Sequence, residues 1–211
     1  MATKVLVLGA NGAIAQHVVE FLKEDKNIAL TLFARKAAKL NKYASLTKIL
    51  EGDVLNTAQL NAVIEGQDIV YANLSGQVDK MAGEIVKSME ANGIKRLIFV
   101  TSLGIYQEVA GKFGQWNERM IGQDLIPYRH AADIIENSTL DYTVVRPSWL
   151  TDKNETTFET TQKGEPFIGT EVARKAVAAY ITDIIQTPGK DVKASVGLNK
   201  PGVYGDKPDF Y

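Results

Sequence analysis

The chain has no cysteine among its 211 residues. Disulfides, thiolate nucleophiles and cysteine-ligated metals are therefore excluded. Its two histidines, His17 and His130, are too few and too far apart for a recognisable metal site. No apolar run approaches the ~20 residues that cross a bilayer. The apolar run after Lys4 is too short for a secretory signal. A cytoplasmic protein that engages no membrane is the expectation. Nor does one sign of charge dominate: 24 Lys and Arg against 25 Asp and Glu leave a net charge of −1, which gives no electrostatic footprint for nucleic acid. Repeats, low-complexity tracts and an interdomain linker are also lacking. What is present is 45% hydrophobic residues, enough for one sizeable core, so one domain spanning 1–211 is expected.

The first segment carries the strongest signal. Val5-Leu6-Val7-Leu8 is a short apolar run, and Gly9-Ala10-Asn11-Gly12 breaks it. Val18-Val19-Glu20-Phe21-Leu22 then resumes with helical patterning. A strand, a tight turn and a helix start in this order form a phosphate-binding element, because the uncapped N–H groups and the helix dipole face the turn. Gly9 permits the sharp turn, and Gly12 lets a pyrophosphate approach the backbone. The pattern is Gly-x-x-Gly-x-x-Ala, with Ala15 where a third glycine often stands. An ordinary strand-to-helix turn would look similar. As a dinucleotide site, it puts Gly9, Asn11, Gly12, Ala13 and Ile14 against the cofactor.

The next strand-like run, Ile28 to Phe33, ends in Ala34-Arg35-Lys36. In this kind of fold that strand end reaches the adenosine ribose, where an acid would hold both hydroxyls and select NAD(H). Here no acid stands, and Arg35 can grip a 2′-phosphate in bidentate fashion. This favours NADP(H) over NAD(H). The competing reading is a solvated Arg-Lys pair in a loop.

Farther along, strand-like and helical segments alternate, which argues for an α/β fold: a doubly wound, mostly parallel sheet with a small C-terminal substrate lobe. A short helix over 37–43, a strand over 46–50 and a helix over 57–64 lead to a strand at 68–72. Val78, Met81, Ala82, Ile85, Val86 and Met89 predict an amphipathic helix over 77–91, ended by Asn92-Gly93. A strand covers 96–101. Residues 103–127 read as irregular, with Gly104, Gly111, Gly114, Gly122 and Pro127 as punctuation. A helix over 131–137, a strand over 142–146, a helix over 171–185 and a strand over 192–198 follow. The 103–127 and 150–169 stretches read as substrate-side loops, the second with an extended piece near Phe167-Ile168.

Ligands of such sheets bind beyond the C-terminal ends of the strands. There lie Gly52-Asp53-Val54, with Asp53 placed to accept from an adenine amino group. Ala72-Asn73-Leu74 lies near the expected ribose and nicotinamide. Thr101-Ser102 and Pro147-Ser148-Trp149 end the next two strands, with Thr101, Pro147 and Ser148 expected against the cofactor. Each of these also suits plain turn chemistry. Trp149 can stack on a planar acceptor. Phe113, Trp116 and Met120 have two open uses: contact with substrate, or with a second copy of the chain in a homodimer.

Together the Gly9–Ala15 loop, Arg35, Gly52-Asp53-Val54, Val100-Thr101-Ser102, Leu140-Asp141-Tyr142-Thr143-Val144-Val145-Arg146-Pro147 and Thr170-Glu171-Val172-Ala173 resemble the atypical short-chain dehydrogenases/reductases of the NmrA-like NAD(P)H-binding family. The resemblance spans about residues 3–200. It implies a Rossmann sheet, a nicotinamide nucleotide, and reduction of a carbonyl, quinone, flavin or related acceptor. One departure bears on the chemistry. The resemblance calls for a Tyr-x-x-x-Lys pair in which the lysine makes the tyrosine a better proton donor. Tyr128 stands at the start of the expected helix, but Ala132 takes the lysine position; Tyr106 is followed by Ala110. Ser102 keeps the serine position. Arg129 and His130 flank Tyr128 without sharing the lysine's helical face. Tyr128 thus reads as an altered proton donor, a pocket wall or a plain helix residue; His130 reads as a surface histidine and His17 as structural.

Two functions remain in play. One is an NADP(H)-dependent oxidoreductase passing a hydride to a small carbonyl, quinone or flavin-like acceptor, with Ser102 and Tyr128 as catalytic candidates and Trp149 and Trp116 as acceptor contacts. The other is a non-catalytic NADP(H) sensor that regulates a protein partner. An NAD-dependent epimerase or dehydratase is a third, opposed by Arg35 and the short C-terminal portion.

Overall fold

A computed structural model describes residues 2–211. Eight strands form one sheet in the order β3-β2-β1-β4-β5-β6-β10-β8. They are β1 (Thr3–Leu8), β2 (Ile28–Ala34), β3 (Lys48–Glu51), β4 (Ile69–Ala72), β5 (Arg96–Val100), β6 (Asp141–Pro147), β8 (Glu159–Gln162) and β10 (Ala194–Asn199). Every pairing is parallel except β10 with β8, an antiparallel edge. A parallel ribbon of β7 (Trp149–Thr151) and β9 (Glu171–Ala173) stands apart from the sheet. The chain reverses its winding between β1 and β4. Connections at such a switch diverge to opposite sides and leave a crevice at the strand ends.

Alternation in β1 shows how both faces are covered. Val5 and Val7 join the core under α1 (Ala13–Leu22) and α5 (Arg174–Gln186). Leu6 and Leu8 join the core under α2 (Thr57–Ile64), α3 (Val78–Ala91) and α4 (Gly111–Glu136). A strand buried on both sides must be apolar at successive positions, which is why β1 and β5 read as continuous hydrophobic runs. Helix α3 buries the expected stripe, and Gly93 takes the left-handed turn (φ 69°) after it.

The stretch read as irregular over 103–127 is the main correction. Only 103–110 is non-helical; α4 runs unbroken from Gly111 through Pro127 to Glu136. Tyr128 therefore lies inside a helix. Gly114, which looked like loop punctuation, admits a close neighbour instead: a Cβ there would lie 2.0 Å from the Val109 carbonyl oxygen. Packing of α4 on α3 outweighs the poor helix propensity of these residues. Three smaller differences occur. The extended piece of the 150–169 stretch is β8 at 159–162; residues 171–173 form β9 before the helix begins; and the last strand starts at Ala194.

Arg146 is fully buried in β6. Its guanidinium pairs with Glu108 and donates to Ser195 Oγ (3.1 Å) and to the carbonyls of Ser195 (3.1 Å) and Thr161 (3.2 Å). Glu108 also accepts from the N–H groups of Gly104 (3.1 Å) and Tyr106 (2.9 Å). One buried cation thus ties β6, β10, β8 and the 103–110 loop together, and its burial is tolerable because it is paired with a carboxylate and four of its five N–H donors are used.

Candidate functional site

The turn after β1 is built to be approached closely. Gly9 sits at φ 77°, and a Cβ there would fall 2.2 Å from the Asn73 carbonyl oxygen. A Cβ on Gly12 would fall 2.0 Å from Asn73 Nδ2. The first neighbour that both glycines accommodate is Asn73, from the end of β4. Gly12 begins α1 with no side-chain cap, and no acid occupies the first turn, so the positive end of α1 is left for an anion.

A cleft of about 550 Å³ opens beyond β1, β2 and β4. Gly9, Asn11 and Gly12 form its floor with Asn73 and Leu74, and Asp53 and Val54 line the end by β3. Arg35, Lys36 and Lys39 line its rim, all three exposed. Lys39 was not apparent from the sequence, because only the 3-10 helix Ala37–Tyr43 brings it round to Arg35. Asn11 Nδ2 donates to the Lys36 carbonyl (3.0 Å), which ties the glycine turn to the cationic rim. Asn11 Oδ1 is buried and has no hydrogen-bond partner among the described residues. Such an acceptor is costly unless something donates to it. The uncapped helix and this orphaned oxygen suit a phosphate-bearing nucleotide. Asp53 is engaged locally: its carboxylate accepts from the Leu55 N–H (3.0 Å). Ile14 and Ala72 are buried in the core, and neither they nor Ala13 lines the cleft.

A second cleft of about 520 Å³ opens beyond β5 and β6. It gathers Thr101, Ser102, Tyr128, Pro147, Ser148 and Trp149. Thr101 Oγ1 donates to the Val145 carbonyl (3.1 Å), and Ser148 Oγ to the Gly169 carbonyl (2.8 Å), so both buried hydroxyls tie strand ends to their neighbours. Ser102 is half-buried at the end of β5. Tyr128 reaches down from α4, its hydroxyl 3.4 Å from the Leu74 carbonyl. Because Leu74 lines the first cleft, this contact joins the two. Burial pushes the Tyr128 hydroxyl above its ordinary range, and Asp124 one turn away adds to the rise. Among the described residues no neighbouring cation opposes it. Arg129 turns away to hold Asp133 with both carboxylate oxygens 3.0 Å from Nε, and lies over the Tyr106 ring. His130 is exposed.

Trp149 is fixed by its indole N–H, which donates to Asn117 Oδ1 (2.9 Å). Trp116 stands behind it, ring centroids 4.7 Å apart, rather than lining the cleft. Three further lining residues were invisible in the sequence: Arg174 at the start of α5, and Phe210 and Tyr211 from the last segment. No local motif marks them, since each arrives by long-range packing. Among the described residues no group of three or more His, Asp or Glu is arranged to hold a metal, and no helix is long and apolar enough to cross a membrane.

The chain is similar to several known proteins. A Rossmann-fold NAD(P)-binding family protein from Shigella flexneri is 47% identical, covers all of both chains and superposes with a TM-score of 0.87. A short-chain dehydrogenase/reductase from Veillonella parvula, solved in complex with NADP, is 26% identical over the full length of both chains, with a TM-score of 0.93. A Bacillus subtilis protein named an uncharacterized sugar epimerase is 28% identical over 189 residues, 82% of this chain and 78% of its own. The resemblance to NAD(P)H-binding dehydrogenases/reductases and the doubly wound Rossmann sheet both hold. The profile of the NAD(P)H-binding family matches residues 9–188, and the chain belongs to that family.

Proposed function

We propose that the protein is an NADP(H)-dependent reductase whose acceptor lies in the cleft beside Tyr128 and Trp149. The observation that carries the cofactor choice is the rim of Arg35, Lys36 and Lys39 beyond β2, where an NAD(H) enzyme would place an acid. The NADP bound to the Veillonella parvula relative supports the same choice. In this reading Arg35 and Lys39 hold the 2′-phosphate, the α1 N-terminus holds the pyrophosphate, and Asn11 Oδ1 accepts from a cofactor hydroxyl. Gly9, Gly12, Asp53, Val54, Asn73 and Leu74 shape the remaining wall. Ala13 and Ile14 contribute through the backbone at the helix start, and Ala72 by setting the end of β4.

The nicotinamide, when bound, supplies a hydride at its C4 carbon. The chain's own residues orient the acceptor and manage one proton. Thr101, Pro147 and Ser148 fix the ends of β5 and β6 beneath the acceptor. Ser102 donates a hydrogen bond to the acceptor oxygen. Tyr128 stays neutral through physiological pH and serves as a weak donor, since no cation lowers its pKa. Acceptors that need little acid assistance, such as quinones and flavins, therefore suit the site better than simple ketones, and orientation is the chain's main contribution.

The missing cation beside Tyr128 also favours a second reading, an NADP(H) sensor acting on a protein partner. A sugar epimerase, the name of the Bacillus subtilis relative, is disfavoured by the cations beyond β2, where an enzyme that holds NAD would place an acid. The deciding experiment follows NADPH oxidation at the nicotinamide absorbance against quinones, flavins, aldehydes and ketones. Turnover with any class supports the reductase. Saturable binding without consumption across the panel would replace it with the sensor.

A further inference from the structure

The acceptor cleft has two unlike ends. On one side three aromatic rings meet. Tyr211 packs edge-on against Trp149 (5.1 Å, 80°) and against Trp116 (5.1 Å, 67°), and Trp116 backs Trp149. Phe210 leans on Tyr211 at 5.2 Å. The segment bearing these rings is held in place. Tyr204 bridges to Gly169, Lys112 pairs with Asp206 (3.2 Å), Pro208 is buried, and the Tyr211 N–H donates to the Pro208 carbonyl (3.2 Å). Yet Tyr211 itself remains 51% exposed, so part of its ring is free to meet a ligand.

On the other side stands Arg174, the one cation among the described residues lining this cleft. Its partner is Asp152, 2.8 Å from Nη1 and with its side chain 84% exposed. A pair so open to solvent is weak and readily exchanged, and it occupies one of the five guanidinium donors. The single lining acid, Asp124, is on α4 next to Tyr128, an element separate from α5.

We propose that this cleft selects a flat, conjugated acceptor carrying an anionic group, with Tyr211 and Trp149 bounding its ring system and Arg174 binding its charge. The aromatic pair gives stacking and edge contacts that only a planar molecule satisfies together. The guanidinium offers a planar fork matched to a carboxylate, sulfonate or phosphate. The proposal rests on the reductase reading for the acceptor's role, and on geometry alone for its shape and charge.

The test uses the full chain and two probes, a naphthoquinone sulfonate and the parent naphthoquinone. Affinity is read from quenching of the Trp116 and Trp149 emission, and turnover from NADPH oxidation. Wild type is expected to bind the sulfonate about tenfold tighter than the parent. Arg174→Gln is expected to erase that ratio with the parent's affinity unchanged. Tyr211→Ala is expected to weaken both probes by about threefold to tenfold, preserving the ratio. Neither variant should alter the NADPH dissociation constant, which also reports that each is folded. A ratio unchanged by Arg174→Gln overturns the anion site. Affinities unchanged by Tyr211→Ala overturn the aromatic wall. No quenching by either probe overturns the whole proposal, whatever the cofactor does. Quenching that follows this pattern without NADPH oxidation upholds the proposal and counts against the reductase reading, which the full acceptor panel decides.

Discussion

The two clefts of this molecule are similar in size and opposite in construction. The first is made by turns at the ends of β1, β2, β3 and β4, with glycines for close approach, one helix terminus and a rim of cations. Charge and backbone geometry do its work. The second is made by side chains from the ends of β5 and β6, from α4, from the start of α5 and from residues 210–211, and most of its wall is aromatic or aliphatic. A pyrophosphate is the same in every dinucleotide, so a local backbone cradle suffices for it. Acceptors differ in shape, and shape is recognised by side chains brought from distant parts of the chain.

If the two regions are separable in this way, substitutions should strike one and spare the other. The largest effect is expected from Glu108→Ala, which strands the buried Arg146 charge beneath the acceptor side. Breaking such a pair costs about 3–5 kcal/mol, and urea unfolding should show it; a loss near zero would mean that Arg146 finds water. Arg35→Glu should come next. Replacing a bidentate cation by an acid should weaken NADPH by about a hundredfold, while quinone affinity in the second cleft stays put. If both affinities fell together, the clefts would not be independent. Ser102→Ala should lower kcat by about tenfold, the worth of one hydrogen bond, with the NADPH dissociation constant unchanged; unaltered kcat would leave proton delivery to Tyr128 or solvent.

The smallest effect concerns Tyr71, on β4 under the cofactor side. Its hydroxyl is buried without a partner among the described residues, and burial lifts its pKa well above the ordinary 10.0. A raised pKa in the folded state means stability that is present below about pH 10 and lost as the unfolded chain ionises above it. Tyr71→Phe should therefore gain up to about 1 kcal/mol and flatten the fall in Tm at alkaline pH. A destabilised variant would show that the hydroxyl has a partner, such as an internal water.

Legibility in the sequence follows the same division. The β1–Gly9–Gly12–α1 unit, the cations after β2 and the stripe on α3 are local patterns, and the structure keeps them. Helix α4 was hidden because Gly111, Gly114, Gly122 and Pro127 imitate a loop, whereas Gly114 serves the approach of Val109. The polar Glu-Thr-Thr-Gln of β8 carries no strand signal; its pairing with β10 makes it one. Arg174 and Tyr211 reach Trp149 across stretches of chain that no motif spans. Of the residues expected against a cofactor, Gly9, Asn11, Gly12, Arg35, Asp53, Val54, Asn73 and Leu74 line the first cleft, Thr101, Pro147 and Ser148 line the second, and Ala13, Ile14 and Ala72 line neither; Lys39 and Met81 enter the first without a local signal.

The most direct test of the account is a titration of wild-type protein with NADPH and with NADH, each followed by nicotinamide fluorescence at low salt. The cationic rim predicts NADPH binding at least about tenfold tighter, the worth of a charge-assisted contact to the 2′-phosphate. Equal affinity, or tighter NADH, would contradict the assignment of Arg35, Lys36 and Lys39 to that phosphate and remove the central support of the proposed function.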